Sequence, residues 1–369
     1  MNTPRKHIII VTSEFPPQPG GIGNHAYNLA NQLAQNNFKV SVIADQRSFL
    51  GVEEKKFDTD LDFEVHRIRK KQIRGVMYLE RLMKLIDLVD TADIVIASGK
   101  FSLWNVAFCS LFKKKIYIAV VHGTEVNFKN FFVNRSIELS LKRFKVIIAV
   151  SNYTKSLIQH LNLPIKVIPN GYDSNKWSKH VAPFQNLKGS PKLITIGNVT
   201  LRKGQLNVIS HLPLLRLKYP NIHYHCIGLP TEAEDFLKKA KELSVENHIT
   251  FHGRLDDIEM QRMLLASDIF AMLSEETATG DVEGFGIAVI EANALGVPGI
   301  GSYGSGLEDA INDKKTGFLV PSNNSEAFLK SIDEILKDRE AFSRACIGWA
   351  SRHEWKSIIK SYIAVILNR

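Results

Sequence analysis

The chain has 369 residues, enough for two domains that each bury a sizeable core. Its composition, 44% hydrophobic and 23% charged, is ordinary for a globular protein. Its three cysteines, Cys109, Cys226 and Cys346, are scattered singly. This spacing excludes a disulfide framework or a Cys-x-x-Cys metal pair and favours a reducing compartment.

No segment has the pattern of a signal peptide or of a membrane-spanning helix. Basic residues precede a short apolar run near the start, but Ser13-Glu14-Phe15-Pro16-Pro17 interrupts that run at once. No uninterrupted apolar stretch is long enough to cross a bilayer. We therefore expect a cytoplasmic protein, at most peripheral on the inner face of the plasma membrane.

The net charge of +9 is unevenly distributed along the chain. Residues 1–185 contain 26 Lys and Arg against 15 Asp and Glu, whereas the remainder contains 21 against 23. The first half therefore has the whole basic excess. This excess indicates an anionic partner, either nucleic acid, a membrane surface or a phosphorylated acceptor. The alternative is a solvated basic face without a partner.

Short β-branched runs alternate with helical stretches, which is the pattern of parallel sheets with crossover helices. In the first half we predict helices at His25–Asn36 and Val76–Val89, and strands at His7–Thr12, Lys39–Ala44, Asp93–Ala97, Ile116–Val121 and Val146–Val150. In the second half the predicted strands are Lys192–Ile196, Ile222–Ile227, Ile249–His252, Ile269–Met272 and Val297–Gly301.

An irregular segment separates the two sets of strands. The turn at residues 168–173 is followed by a polar stretch, residues 175–190. We place the domain boundary near residue 185, so that residues 1–185 and 186–354 form two Rossmann-like α/β domains that face each other across a cleft. A last helix, residues 355–369, either stays with the second domain or packs back on the first.

A glycine-rich loop follows the first strand. Three prolines stiffen it, and Gly20, Gly21 and Gly23 then let the backbone approach a ligand at the start of the next helix, where free N–H groups favour phosphate. An alternative is a dinucleotide fingerprint that begins at Gly21, with Asp45 as the ribose-binding acid. We regard that alternative as weak, because eight residues separate the strand from the glycines.

A second loop contains two glutamates eight residues apart. Glu283 precedes an apolar helix that begins at about Ile287, and Glu291 lies inside that helix. Free amides at Gly286, Ile287 and the next residue would point at an anion, and the two carboxylates would lie on either side of it. Exposed glutamates are the simpler interpretation, but an unpaired Glu291 in an apolar run is costly.

Glu283-x7-Glu291, within Glu-Gly-Phe-Gly-Ile-x-x-x-Glu-Ala, resembles the signature of the retaining family 4 glycosyltransferases, which have the two-Rossmann GT-B fold. Other stretches are similar to that family in the expected order along nearly the whole chain: Pro16–Gly21, Val121–Thr124, Ala149–Asn152, Ile168–Gly171, Gly197–Gly204 and Ala294–Pro298.

The resemblance implies roles in donor binding for several residues of the second loop and for Lys203. Glu291 would accept hydrogen bonds from the donor ribose, and Glu283 would hold hydroxyl groups of the donor sugar. The backbone at Phe285, Gly286 and Ile287 would orient the sugar and phosphate, and Lys203 would neutralise the diphosphate as it leaves.

In the first domain, the resemblance places Gly20 and Gly21 against the phosphates and His122 near the reacting carbon of the sugar. A packed structural histidine is the alternative for His122. We expect catalysis by Glu283, His122 and Lys203 in a front-face substitution. No cofactor and no catalytic metal are expected, because the fold type that the resemblance implies normally needs no metal.

The chain departs from the family pattern at Asn198, where an arginine usually stands. Asn198 can donate a hydrogen bond but has no charge. Arg202 is the residue that could compensate, although it need not point the same way as Lys203. The departure keeps open a second interpretation, a catalytically weak or inactive partner subunit.

Other interpretations are weaker. His223 and His225 share a strand face but lack a third ligand, so we expect no metal there. A phosphorylase or epimerase fits the motifs less well. A nucleic-acid binder is supported by charge alone, and we do not expect nucleic acid as a partner.

The acceptor is predicted from the first domain, which binds it in this family. Its basic excess favours a glycan or lipid-linked acceptor, such as a polyprenyl-diphosphate glycan or a surface-polysaccharide precursor. The amphipathic helix Val76–Val89 is interpreted as packing on the sheet, although basic residues mixed with aromatics also favour an anionic membrane surface. The donor would supply a hexose or N-acetylhexosamine from GDP-mannose or a UDP-sugar.

Overall fold

A computed structural model describes residues 5–18, 20–177 and 181–367. Contacts divide the chain into two compact units, which are described separately. The first unit is Met1–Gly171 with Trp355–Arg369, and the second is Tyr172–Glu354.

The first unit is built on a parallel sheet of seven strands. In chain order they are β1 His7–Thr12, β2 Lys39–Asp45, β3 Glu64–Ile68, β4 Ile94–Ser98, β5 Ile116–Val121, β6 Val146–Ala149 and β7 Ile165–Val167. They pair in the order β3-β2-β1-β4-β5-β6-β7. Every residue of β1 is buried, as expected for a central strand whose two faces are both covered by helices.

The helices of the first unit connect these strands. They are α1 Gly21–Gln35, α2 Val52–Asp58, α3 Arg74–Val89, α4 Lys100–Cys109, α5 Phe131–Leu141 and α6 Asn152–Ile158. The C-terminal helix, Trp355–Ile366, also belongs to this unit and packs on α1, where His25 Nε2 lies 2.8 Å from Tyr362 Oη.

The second unit repeats the architecture with six parallel strands, β8 Lys192–Ile196, β9 His223–Ile227, β10 Ile249–Gly253, β11 Ile269–Met272, β12 Gly299–Ser302 and β13 Gly317–Val320. Their order is β10-β9-β8-β11-β12-β13. Its helices are α7 Gln205–Lys218, α8 Ala233–Glu242, α9 Asp257–Ala266, α10 Ile287–Ala294, α11 Leu307–Ala310, α12 Ser325–Lys337 and α13 Arg339–Ala350. The C-terminal helix is therefore α14.

Both sheets reverse their strand order once, between β1 and β4 and between β8 and β11. In such doubly wound sheets, ligands bind beyond the carboxyl ends of the strands at that reversal. The loops after β1 and β8 are those that contain Gly20 and Lys203. The predicted fold class, two Rossmann-like α/β domains, is confirmed.

Three strands were not predicted, and each has a weak sequence signal. β3 is an edge strand with a polar sequence, Glu64-Val-His-Arg-Ile68, and β7 has only three residues. β13 begins with Gly317, a residue that is depleted in strands.

The division between the units lies at residues 171 and 172, whereas the sequence placed it near residue 185. The described residues between these positions include two that are hydrogen-bonded to the second unit. Tyr172 N donates to His353 O at 2.9 Å, and Phe184 N donates to Arg262 O at 2.8 Å. The irregular composition therefore belongs to a segment of the second unit rather than to the linker.

Within the described residues, no helix combines the length and apolarity needed to span a bilayer. The three cysteines are free and buried.

Candidate functional site

The loop after β8 places two cations in the second unit. A short helical turn, Leu201–Lys203, ends at Gly204, and α7 starts directly after it. Gly204 has φ +76°, and a Cβ there would lie 2.0 Å from the carbonyl oxygen of Leu273. Only glycine fits so close to the end of β11 in this conformation. The turn therefore holds Arg202 and Lys203 beside the end of β11.

The loop after β11 holds Glu283 beside the N-terminus of α10. Glu283 O accepts from Gly306 N at 2.8 Å, and its Oε1 accepts from Gly286 N at 3.1 Å. Gly286, with φ +91°, is the residue before the helix. Glu283 is 9% exposed, so this carboxylate is buried at a helix N-terminus, where a negative charge is stabilised.

Arg202 and Lys203 converge on one oxygen of this carboxylate. Arg202 Nη1 and Lys203 Nζ each lie 2.7 Å from Glu283 Oε2, and Arg202 Nε lies 3.2 Å from Asp281 Oδ2. Burial alone would raise the pKa of Glu283, but the attraction and hydrogen bonds of the two cations outweigh it and lower the pKa to about 2. Glu283 is therefore ionised at neutral pH.

This convergence shows that Arg202 points the same way as Lys203, which the sequence left open when it placed Asn198 at the position of the usual arginine. The Asn198 side chain is exposed, and its backbone oxygen accepts from Gln205 Nε2 at 3.1 Å. Arg202, by contrast, points to the same carboxylate oxygen as Lys203. Two positive charges thus meet at one point, although the usual arginine is absent.

Glu291 lies in the second turn of α10 and is half-buried, outside this ion-pair cluster. Burial raises its pKa to about 7, against opposing effects of Lys176 and of a Trp177 hydrogen bond. The Phe285 ring is buried beside His353, with ring centroids 5.9 Å apart. Phe285 can therefore offer a ligand only its backbone, and Ile287 is the first residue of the helix.

In the first unit, Gly20 directly precedes α1 and Gly21 is the first residue of that helix. A Cβ on Gly20 would lie 2.3 Å from Glu14 Oε2, so the Glu14 carboxyl is directly beside this backbone. Burial raises the pKa of Glu14, against the attraction of Arg47 and a hydrogen bond from the backbone of Gly23.

His122 follows β5 and is held at two points. Its Nε2 lies 2.9 Å from Ser98 Oγ, and its backbone N donates to Glu125 Oε1 at 2.6 Å. Burial lowers the pKa of His122 to about 4, so the ring is neutral. The ring of His25 lies edge-on at 4.9 Å between centroids.

Sequence reasoning missed Glu125 and His25. Glu125 is 2% exposed, and burial raises its pKa to about 7 despite hydrogen bonds from the backbone. Its position three residues after His122 was the available signal. His25 could not be found from sequence, because its partner Tyr362 lies 337 residues away.

The structure explains the two weaker sequence signals, the dinucleotide fingerprint with Asp45 and the histidine pair on β9. Asp45 accepts from Arg81 Nη2 through both oxygens at 2.6 Å, so the carboxylate proposed for a ribose is in a buried ion pair. His225 Nδ1 lies 3.0 Å from His252 Nε2. Among the residues described, no group of three His, Cys, Asp or Glu side chains is arranged to hold a metal ion.

Two Rossmann-like domains, with a carboxylate and two cations at a helix N-terminus in the second, define the class of the protein as a glycosyltransferase of GT-B type. Two family models match consecutive parts of the chain. "Glycosyltransferase Family 4" matches residues 19–176, and "Glycosyl transferases group 1" matches residues 178–352. The chain belongs to the family 4 glycosyltransferases.

Curated relatives are similar over nearly the full length. A GDP-mannose-dependent alpha-(1-6)-phosphatidylinositol monomannoside mannosyltransferase of Mycobacterium tuberculosis is 26% identical, with 94% of this chain and 93% of the relative covered. A glycogen synthase of the same species is 23% identical, with 98% and 94% covered.

Solved structures share the fold. HepE of Anabaena, in complex with UDP and glucose, has a TM-score of 0.79 at 17% identity, covering 99% of this chain and 100% of that one. WaaG, a glycosyltransferase involved in lipopolysaccharide biosynthesis, has a TM-score of 0.71 at 15% identity, covering 97% and 99%.

Proposed function

We propose that this glycosyltransferase is a retaining enzyme that moves a hexose or N-acetylhexosamine from a nucleotide sugar to a glycan or lipid-linked acceptor. The process would be the biosynthesis of a cell-surface polysaccharide. The observation that carries the proposal is the convergence of Arg202 and Lys203 on Glu283 at the N-terminus of α10.

Each part of this arrangement suits one part of a nucleotide sugar. The two cations and the free amides of α10 would hold the diphosphate and stabilise the charge that develops as it leaves. Glu283, ionised and buried, would accept hydrogen bonds from sugar hydroxyls. Glu291, in the second turn of α10, would receive the ribose.

For the chemical step we propose front-face substitution, in which the leaving phosphate helps to deprotonate the acceptor hydroxyl. Glu283 is poorly suited to be a nucleophile, since its Oε1 accepts a hydrogen bond from Gly286 N and its Oε2, which accepts from two cations here, would accept from sugar hydroxyls in the donor complex. The neutral His122 would contact the sugar. Mass-spectrometric detection of a covalent glycosyl-Glu283 adduct would disprove this mechanism.

The donor is proposed to be GDP-mannose or a UDP-sugar. The mycobacterial relative is named for GDP-mannose, and HepE was solved with UDP. A thermal-shift and hydrolysis screen over UDP-, GDP- and ADP-sugars tests this choice, with EDTA present to test metal independence. Hydrolysis or transfer of one donor supports the enzyme. Binding without either reaction, for every donor and acceptor, supports the inactive-subunit alternative.

The first unit is proposed to dock on an anionic membrane, where a lipid-linked acceptor would be found. α3 buries Leu85 and Val89, as its amphipathic pattern predicted, but it also has a second apolar stripe that is exposed. This stripe is formed by Val76, Leu79, Met83 and Ile86, which are 39–57% exposed. Their spacing places them on one side of the helix.

Further exposed apolar residues lie on or next to the neighbouring helices, Phe108 in α4, Phe112 just after α4, and Phe131 and Phe132 in α5. Apolar residues set among basic ones are the pattern of interfacial membrane binding. The basic excess of the first half supplies the charge for an anionic lipid surface.

Flotation with vesicles tests the membrane proposal. We expect binding to vesicles containing about 30% anionic lipid, and loss of that binding in a Leu79→Glu, Met83→Glu double variant. Leu217→Glu, at an 81% exposed position in the second unit, is the matched control. A native protein that ignores anionic vesicles and works equally on free sugars would contradict the proposal.

A further inference from the structure

Glu283 occupies the point at which Arg202 and Lys203 converge, and these are the two cations of the proposed diphosphate site. Arg202 Nη1 and Lys203 Nζ both donate to Glu283 Oε2 at 2.7 Å, so the two cations have a common anionic partner without a ligand. Asp281 accepts a further ion pair from Arg202 at 3.2 Å. The two positive charges are thus balanced by two negative ones.

This balance sets a condition for any anion that enters the site. A diphosphate can bind both cations only if Glu283 gives up its bonds to them, and the carboxylate then stands beside the phosphates as a like charge. A buried carboxylate that loses its partners without replacement is strongly destabilised. The entering ligand must therefore offer Glu283 new hydrogen-bond donors.

An intact nucleotide sugar and a nucleoside diphosphate differ in this respect. The intact donor has sugar hydroxyl groups, which can donate to the Glu283 carboxylate. The nucleoside diphosphate has none at that position, and it has one more negative charge after the sugar has been transferred. Glu283 would therefore oppose the product while it accepts the donor.

We propose that Glu283 is the exchangeable counter-ion of Arg202 and Lys203, released to the sugar hydroxyls when the intact donor binds, and that this exchange selects the nucleotide sugar over the nucleoside diphosphate. The inference rests on the proposed donor site. It adds a specificity role for Glu283, since the same carboxylate weakens product binding and favours product release.

A role limited to holding the sugar makes a different prediction. If Glu283 only forms hydrogen bonds with sugar hydroxyls, Glu283→Gln lowers the affinity for the donor and leaves the affinity for nucleoside diphosphate unchanged. If it is the counter-ion, removing its charge frees both cations, and the nucleoside diphosphate binds more tightly. The two roles are therefore separated by the sign of one change.

Isothermal titration calorimetry measures that sign. The native protein, Glu283→Gln and Asp281→Asn are titrated with GDP, GDP-mannose, UDP and UDP-glucose. Glu242→Gln is the control for net charge, because it removes the same charge at a 64% exposed side chain of the second unit that pairs with Lys239. The melting temperature of each variant confirms that it is folded.

For the base that binds, we expect Glu283→Gln to tighten the nucleoside diphosphate about tenfold, as removal of one nearby like charge implies. The preference for the intact donor should fall by at least the same factor. Asp281→Asn keeps Glu283 in place and should tighten the diphosphate a few-fold, which provides a second test if Glu283→Gln does not fold.

The counter-ion role would be overturned, and the donor site left intact, if Glu283→Gln bound the intact donor more weakly and its affinity for the nucleoside diphosphate were unchanged or lower. The same holds if Glu283→Gln does not fold and Asp281→Asn leaves diphosphate affinity unchanged. Failure of the native protein to bind any of the four ligands would instead overturn the proposed function.

Discussion

Arg202 should contribute to transfer about as strongly as Lys203, although the resemblance to the family assigns the leaving diphosphate to Lys203. Arg202 Nη1 and Lys203 Nζ are equidistant, at 2.7 Å, from Glu283 Oε2. Whatever anion replaces this oxygen therefore meets both cations. The Arg202 side chain is 25% exposed, so solvent screens its charge only in part.

The magnitude follows from the bond that is lost. A hydrogen bond to a charged group contributes about 1.5–3 kcal/mol, and each ~1.4 kcal/mol corresponds to a factor of ten. Arg202→Gln should therefore lower kcat/KM by about 10- to 100-fold, with most of the loss in kcat because the charge develops in the transition state. Asn198→Ala, at an exposed side chain, should change kcat/KM less than about threefold.

Steady-state kinetics with the donor identified by screening provide the assay. Asn198→Arg in the Arg202→Gln background restores a cation where the family usually has one, and it should recover about tenfold of the loss. Arg216→Gln, on the surface of α7, is the matched control. If Arg202→Gln alters kcat/KM less than threefold while Lys203→Gln abolishes transfer, Arg202 serves only its pair with Asp281, and our reasoning is wrong.

Three further predictions concern stability. Burial raises the pKa of Glu291 to about 7, so its contribution to stability is present below its unfolded pKa and is lost as the pH rises through 7. Glu291→Gln should therefore raise the melting temperature more at pH 8 than at pH 5.5, and it should lower the affinity for the donor. Equal shifts in melting temperature at the two pH values would contradict this. Burial lowers the pKa of His225 to about 4, so the stability that is present above pH 6.5 falls as the pH drops towards 4. The melting temperature of His225→Gln should therefore fall less steeply with decreasing pH than that of the native protein. An unchanged dependence of melting temperature on pH would contradict this. Gly204→Ala should lower the free energy of unfolding, measured with denaturant, by about 2 kcal/mol or more, because its Cβ would lie 2.0 Å from Leu273 O. A free energy of unfolding within about 0.5 kcal/mol of the native value would show that the turn relaxes.

The fold was largely predictable because parallel strands buried on both faces have continuous apolar sequences. β1, β5, β8 and β11 were predicted with their observed bounds. β3 was not, since an edge strand covered on fewer sides needs less apolar sequence.

The loops that hold Arg202, Lys203 and Glu283 could be identified from the sequence, but the contacts among these side chains could not. The spacing of Glu283 and Glu291 on a helix N-terminus could be read from the sequence. The direction of Arg202 could not, because it depends on the Gly204 turn against β11. Nor could the bond between His25 and Tyr362, which joins the two ends of the first unit.

The stereochemistry of transfer tests the central proposal most directly. Proton NMR can follow the anomeric signal while native enzyme consumes an α-linked nucleotide sugar in the presence of an acceptor. We predict that the first product formed has the α configuration, as a retaining transferase requires. A β-linked first product would contradict the proposed mechanism and the roles of Glu283 and the leaving phosphate in it.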